Sequence, residues 1–194
     1  MFFRNLTPKK DVSLSVTLVR VHMPVRLGHR DAEKAFAVPL ARKLAAVGLG
    51  VVTGCSALES APSDIFGVDL HLGLTDASRA KLEFVARLLE DLSAPCGSSI
   101  RLADGGEPIV FGVSEGLELT LDAGLAPDPA TRSSVAKTFA KALENEGVFR
   151  GWVQRGGDMV FYFYGQDFAR MRARLDKVLT THPSLKSALA RRMA

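Results

Sequence analysis

The chain has 194 residues, 25 Lys plus Arg against 21 Asp plus Glu, a net charge of +4 and 47% apolar residues. This is globular composition, which excludes a disordered or collagen-like chain, and no run of about 18 apolar residues is free of charge, which argues against a membrane-spanning helix. Only Cys55 and Cys96 occur, too few for a disulfide framework or a Cys-rich zinc site, so both read as free thiols in a reducing cytoplasm.

The opening MFFRNLTPKK has neither the apolar centre nor the small-residue cleavage site of a signal peptide, so a soluble cytoplasmic protein is expected. Residues 12–21 alternate as a half-buried strand, with Val12, Leu14, Val16 and Leu18 on the inner side and Ser13, Ser15 and Thr17 on the outer. A helix follows over 31–47, capped by Asp31, interrupted by Pro39 and stopped by Gly48 and Gly50. Residues 51–58 read as a strand weakened at Gly54, and 67–75 as a strand with Asp69, His71 and Thr75 outward. The stripe Leu82, Val85, Leu88, Leu89 and Leu92 predicts a helix over 77–93, and 98–102 a strand. The Asp104-Gly105-Gly106 turn and Ile109-Val110-Phe111 extend that strand as a hairpin.

The second half repeats most of this order. A strand at 116–122 leads to a helix over 131–146. Strands at 148–155 and 158–164 flank the Gly156-Gly157 turn, and a helix over 166–181 carries Phe168, Met171, Leu175 and Val178. His182-Pro183 ends it, and 184–192 reads as a further short helix. The first half is therefore β-α-β-β-α-β and the second β-α-β-β-α. The fold class is α+β, with two ferredoxin-like units in tandem and the second lacking its last strand. The units span residues 1–112 and 113–194 and, with no flexible linker between them, are expected to pack together.

Three surfaces carry candidate chemistry. In a ferredoxin-like sheet the first and third strands are neighbours, which sets Asp69 and His71 beside Ser13, Ser15 and Thr17. A carboxylate that orients an imidazole is acid–base equipment. In the 148–164 hairpin both faces are apolar, with Trp152 opposite Phe161 and Arg150 opposite Phe163, so both faces should be covered: by the first half, a second copy or a partner. Exposed aromatics there, Trp152 or Tyr162, would instead serve RNA stacking. From residue 166 onward the chain is net +5, with Arg170 and Arg174 among the basic residues, a composition suited to nucleic acid, an acidic protein or a membrane surface.

No phosphate-binding glycine motif occurs. The four histidines (22, 29, 71 and 182) have no metal-ligand spacing, so neither cofactor nor metal is expected. Cys96, near Arg101, has no base to activate it.

The segment GVFRGWVQRGGDMVFYFYG (147–165), with its Gly151-Trp152 pair between two helices, resembles the second module of small bacterial α+β proteins similar to the type B regulator of ribonuclease E. That resemblance implies a ferredoxin-like second unit. The function expected from all of this is a noncatalytic binding or regulatory protein that meets a protein partner or a second copy through a sheet face or the basic C-terminal helix. A small α+β-barrel-type enzyme using Asp69 and His71, and an RNA-binding protein, are the alternatives.

Overall fold

In the computed structural model of the chain, residues 16–61, 64–125, 128–182, 185 and 187–193 are described. They form two antiparallel sheets. The first has β1 (Thr17–Met23) and β3 (Asp64–Leu74) as central neighbours, β2 (Gly50–Ala61) and β4 (Ser98–Leu102) outside them, and β5 (Gly105–Phe111) beyond β4, in the order β2-β3-β1-β4-β5. The second joins β6 (Glu115–Asp122), β7 (Val148–Arg155), β8 (Asp158–Gly165) and β9 (Leu189–Met193) in the order β7-β8-β6-β9. Strand for strand the second order matches the first without β5, so the chain is α+β with two ferredoxin-like units in tandem.

One side of each sheet is covered by helices. Over the first lie α1 (His29–Ala32), a π turn (Glu33–Ala37), α2 (Val38–Ala46) and α3 (Arg79–Glu90); α4 (Pro129–Ala142) and α5 (Phe168–Thr181) cover the second. The predicted kink at Pro39 is met by the π turn just before it. A ring nitrogen without a hydrogen cannot close an ordinary helical turn, and the wider turn accommodates that. The first core packs Val21, Leu70 and Leu72 against Phe36, Leu40 and Leu89, and the second packs Leu119, Phe161 and Phe163 against Phe139, Met171 and Leu175.

Three expectations need correction. The second unit has its last strand: residues 189–193 pair antiparallel with β6, Ala190 opposite Leu119, where a helix was expected. This segment is short and rich in arginine, so its own pattern does not announce a strand. The vacant edge of β6 and the burial of Leu185 and Ala190 decide it. The second correction is the phase of β1. Val19, Val21 and Met23 are fully buried, whereas Val16 and Leu18 are 50% and 60% exposed. The strand runs on to Met23, and a shift of one residue exchanges its faces. Ser13 and Ser15 lie outside the described residues. Thirdly, a bulge between Phe149 and Gly151 in β7 sets Phe149, not Arg150, opposite Phe163, while Trp152 does face Phe161.

That bulge helps to join the units. Freed from the ladder, Arg150 lies 5.0 Å over the Phe36 ring and donates from Nη2 to the Leu92 carbonyl at 2.6 Å. The helix-free face of the second sheet, Val160, Tyr162 and Tyr164, is buried in the first unit's core. The Tyr164 hydroxyl accepts the Arg26 backbone N–H at 2.9 Å, and Arg155 donates to the Tyr162 hydroxyl at 3.1 Å. Burial raises both phenols above their ordinary pKa, so they stay neutral hydrogen-bonding groups. Gly112 makes the crossing between sheets possible. Its φ is +113°, and a Cβ there would sit 1.9 Å from the Pro95 carbonyl oxygen.

The β9 assignment has a direct test. Ala190→Asp puts a charge at a position only 5% exposed, facing the second core. We expect a loss of about 3 kcal/mol in urea unfolding, because the carboxylate would be buried without a partner. A solvent-facing helix at 184–192 would tolerate the change.

Candidate functional site

The helix-free face of the first sheet is built from register. One row across it reads Val110, Ser99, His22, Asp69 and Ser56, and the next reads Arg101, Arg20, His71 and Gly54. A third row carries Leu18, Gly73 and Val51. Val16 lies over Gly73, its Cγ1 occupying the space a Cβ would need. The face thus has a polar centre and an aliphatic margin, with Val51 55% and Val110 69% exposed.

Asp69 is the centre. It is 2% exposed although it stands on the open side, because its neighbours close over it. The Arg20 guanidinium forms an ion pair with Oδ2, and the His22 Nδ1–H donates to Oδ1 at 2.9 Å. The carboxylate, an acceptor only, fixes that proton on Nδ1 and turns the other ring nitrogen outward along the sheet, over Gly67. Gly67 leaves the room: a Cβ there would stand 2.9 Å from the imidazole.

His71, the expected partner of Asp69, points out beside Arg20 and has no hydrogen bond among the described residues. Spacing of two along a strand puts Asp69 and His71 on one face, but about 7 Å apart. The cross-strand neighbours Arg20 and His22 are closer and take the carboxylate. Thr17 pairs with Leu74 on the helix side of the sheet, so it does not join this cluster. Sequence reasoning misses Arg20 and His22 because it sets β1 one residue out of phase, and it considers Arg101 only beside Cys96. The stretch Arg20-Val21-His22, polar–apolar–polar, was the available signal.

The remaining candidates lie apart from this face. Trp152 is 40% exposed on β7, with the Arg132 guanidinium 5.5 Å from its ring centroid. Tyr162, the other aromatic considered for stacking, is buried. Arg170 and Arg174 belong to α5 and pair with Asp167 at 3.9 Å and Glu146 at 3.5 Å. Arg172 pairs with Asp176 and Arg192 with Glu115, so acidic residues offset much of the positive C-terminal segment. Cys55 faces a separate hollow lined by Glu33 and Ala37. Burial, with the Glu33 charge adding to it, pushes its thiol up. No helix of the described residues is long and apolar enough to cross a membrane, and no group of metal-ligating side chains was found among them.

No protein-family model and no curated protein matches the chain. Solved structures do align with most of its length. One, proposed to be a glycine cleavage system transcriptional repressor, is 7% identical, covers 92% of this chain and 96% of its own, and has a TM-score of 0.34. Another, the first two RRM domains of yeast poly(U) binding protein, is 10% identical, covers 91% and 99%, and has a TM-score of 0.26. At such values the likeness carries no functional argument, and neither is a regulator of ribonuclease E.

Two outcomes are expected from this geometry. Asp69→Ala removes the acceptor of two cationic or donor groups and should cost about 2 kcal/mol in urea unfolding, whereas His71→Ala, which breaks no contact of this kind, should stay within about 0.5 kcal/mol. Alkylation of Cys55 should follow a pH profile displaced above that of a solvated peptide thiol, since the raised pKa delays thiolate formation. A profile displaced to lower pH would contradict the burial.

Proposed function

We propose that this chain is a noncatalytic binding protein whose contact surface is the helix-free face of its first unit, and that its partner is a protein presenting carboxylates among apolar side chains. One observation carries the reading. The two units share a topology, but the second buries its helix-free face against the first, while the corresponding face of the first leaves Leu18, Val51 and Val110 exposed around a basic cluster. Exposed aliphatic side chains grouped with arginines on one open face mark an interaction surface, since grouped apolar exposure and arginine are both enriched where proteins meet.

The sign of the charge selects the partner. Arg20 and Arg101 oppose a single carboxylate, Asp69, and Arg101 has no ion pair among the described residues. A second copy docked about a twofold axis through this cluster would set arginine against arginine, which disfavours self-association here. The exposed apolar side chains of the three rows are aliphatic, so the face does not offer the aromatic platform on which RNA bases stack. The Asp69–His22 pair resembles the oriented half of an acid–base site. The residues lining the described cavities, however, do not include it.

A photoreactive side chain introduced at Leu18, in cells of the native host, tests this. The expected result is a covalent adduct with an acidic protein at Leu18 that is absent from the same probe at Lys137 on α4. Arg101→Glu should then lower the adduct by about fivefold or more, because a charge of the wrong sign in the basic cluster repels a partner that presents carboxylates. Adducts with RNA, with a second copy of this chain, or at no higher yield than at Lys137 would each overturn the proposal.

A further inference from the structure

A cavity of about 420 Å³ lies where the two units meet, away from the three rows of the open face. The first unit contributes Pro24, from the segment after β1, and Pro95 and Cys96, from the turn before β4. The second contributes Tyr164, Arg192 and Met193. Ser114, with Glu115 and Gly116 at the start of β6, completes the wall. We propose that this cavity binds a small organic carboxylate with an apolar body, the carboxylate on Arg192 and the body against Pro24, Pro95, Tyr164 and Met193.

The chemistry follows from which groups are committed. Glu115 is engaged on both oxygens: Oε2 accepts the Phe168 N–H at the start of α5 at 2.7 Å, and Oε1 takes the Arg192 Nη2. It therefore serves to hold Arg192 in place, not to meet a cation. Arg192 spends only Nη2 on that contact, and its side chain is 61% exposed at the cavity. A guanidinium has five donors in a fixed fork, and the unused ones suit a carboxylate. Apart from Ser114, the rest of the lining is apolar or already hydrogen-bonded. The Tyr164 hydroxyl already accepts from Arg26, and its ring presents an apolar surface. Gly116 helps to keep the space open, since a Cβ there would stand 2.5 Å from Met193 Cε. The volume lies within the range of small-ligand sites. Because its walls come from both units, an occupant would hold the seam together.

The two cysteines make the site measurable. Cys96 is exposed and lines this cavity, whereas Cys55 lines a different hollow and serves as the internal control. The full chain is treated with iodoacetamide in the presence of phenylacetate, 2-phenylethanol or phenethylamine, and alkylation of each cysteine is followed by mass spectrometry. Phenylacetate is expected to slow Cys96 saturably and leave Cys55 unchanged, with the alcohol and the amine about tenfold weaker or more. Arg192→Gln should weaken phenylacetate by a similar factor. Equal protection by the three compounds, equal slowing of both cysteines, or no protection of Cys96 by phenylacetate would each overturn the proposal. The comparison of three compounds on the unaltered chain decides the matter even if Arg192→Gln fails to fold.

Discussion

The burial of Tyr162 and Tyr164 against the first unit is the contact on which the rest of the architecture depends. A ferredoxin-like sheet with helices on one side leaves its other side open, and in the second unit that side is made of Val160, Tyr162 and Tyr164. Such a surface is too apolar to leave in water. The first unit covers it, and the two phenolic hydroxyls that burial would orphan find Arg26 and Arg155. Arg150, released by a bulge, adds a further polar tie between the units at Leu92 and a stacked one at Phe36. The seam is thus apolar in its middle and hydrogen-bonded at its edges.

Both proposed binding surfaces follow from this one contact. Using the second sheet's open face for assembly leaves the first sheet's open face uncovered, with Leu18, Val51 and Val110 exposed. There Asp69 gathers Arg20 and His22 into an ordered cluster, so the charge on that face is held in fixed positions. The same apposition is imperfect at one end, where Pro24 and Pro95 face Tyr164 and Met193 across a cavity. Sheet edges are less available for pairing: β2 carries register shifts near Gly54 and Glu59, β5 contains Pro108, β7 is bulged, and β9 is short and basic.

Much of the fold was legible in sequence because each element carries its own period or punctuation. The alternation of 67–75, the Gly156-Gly157 turn and the stripe Met171–Leu175 are local signals, and β3, the β7–β8 hairpin and α5 stand where they indicate. Trp152 faces Phe161, as counting back from the turn requires. The site was legible only in part. Asp69 stands out in the sequence as an outward carboxylate of 67–75, two residues from His71. Its partners do not, because the phase of β1 depends on pairing with β3 and β4, and a single strand with apolar residues on both sides does not declare it.

Periodicity and turn chemistry within a few residues of chain are enough to set the element order up to α5, the tandem arrangement and the apolar character of both faces of the 148–164 hairpin. Only the tertiary structure decided which surface covers that hairpin, that 189–193 completes the second sheet, and that Asp69 turns to Arg20 and His22 in place of His71. The physical reason is the same in each case. A strand edge, an apolar face and a buried carboxylate must all be satisfied, and the groups that satisfy them lie far away along the chain.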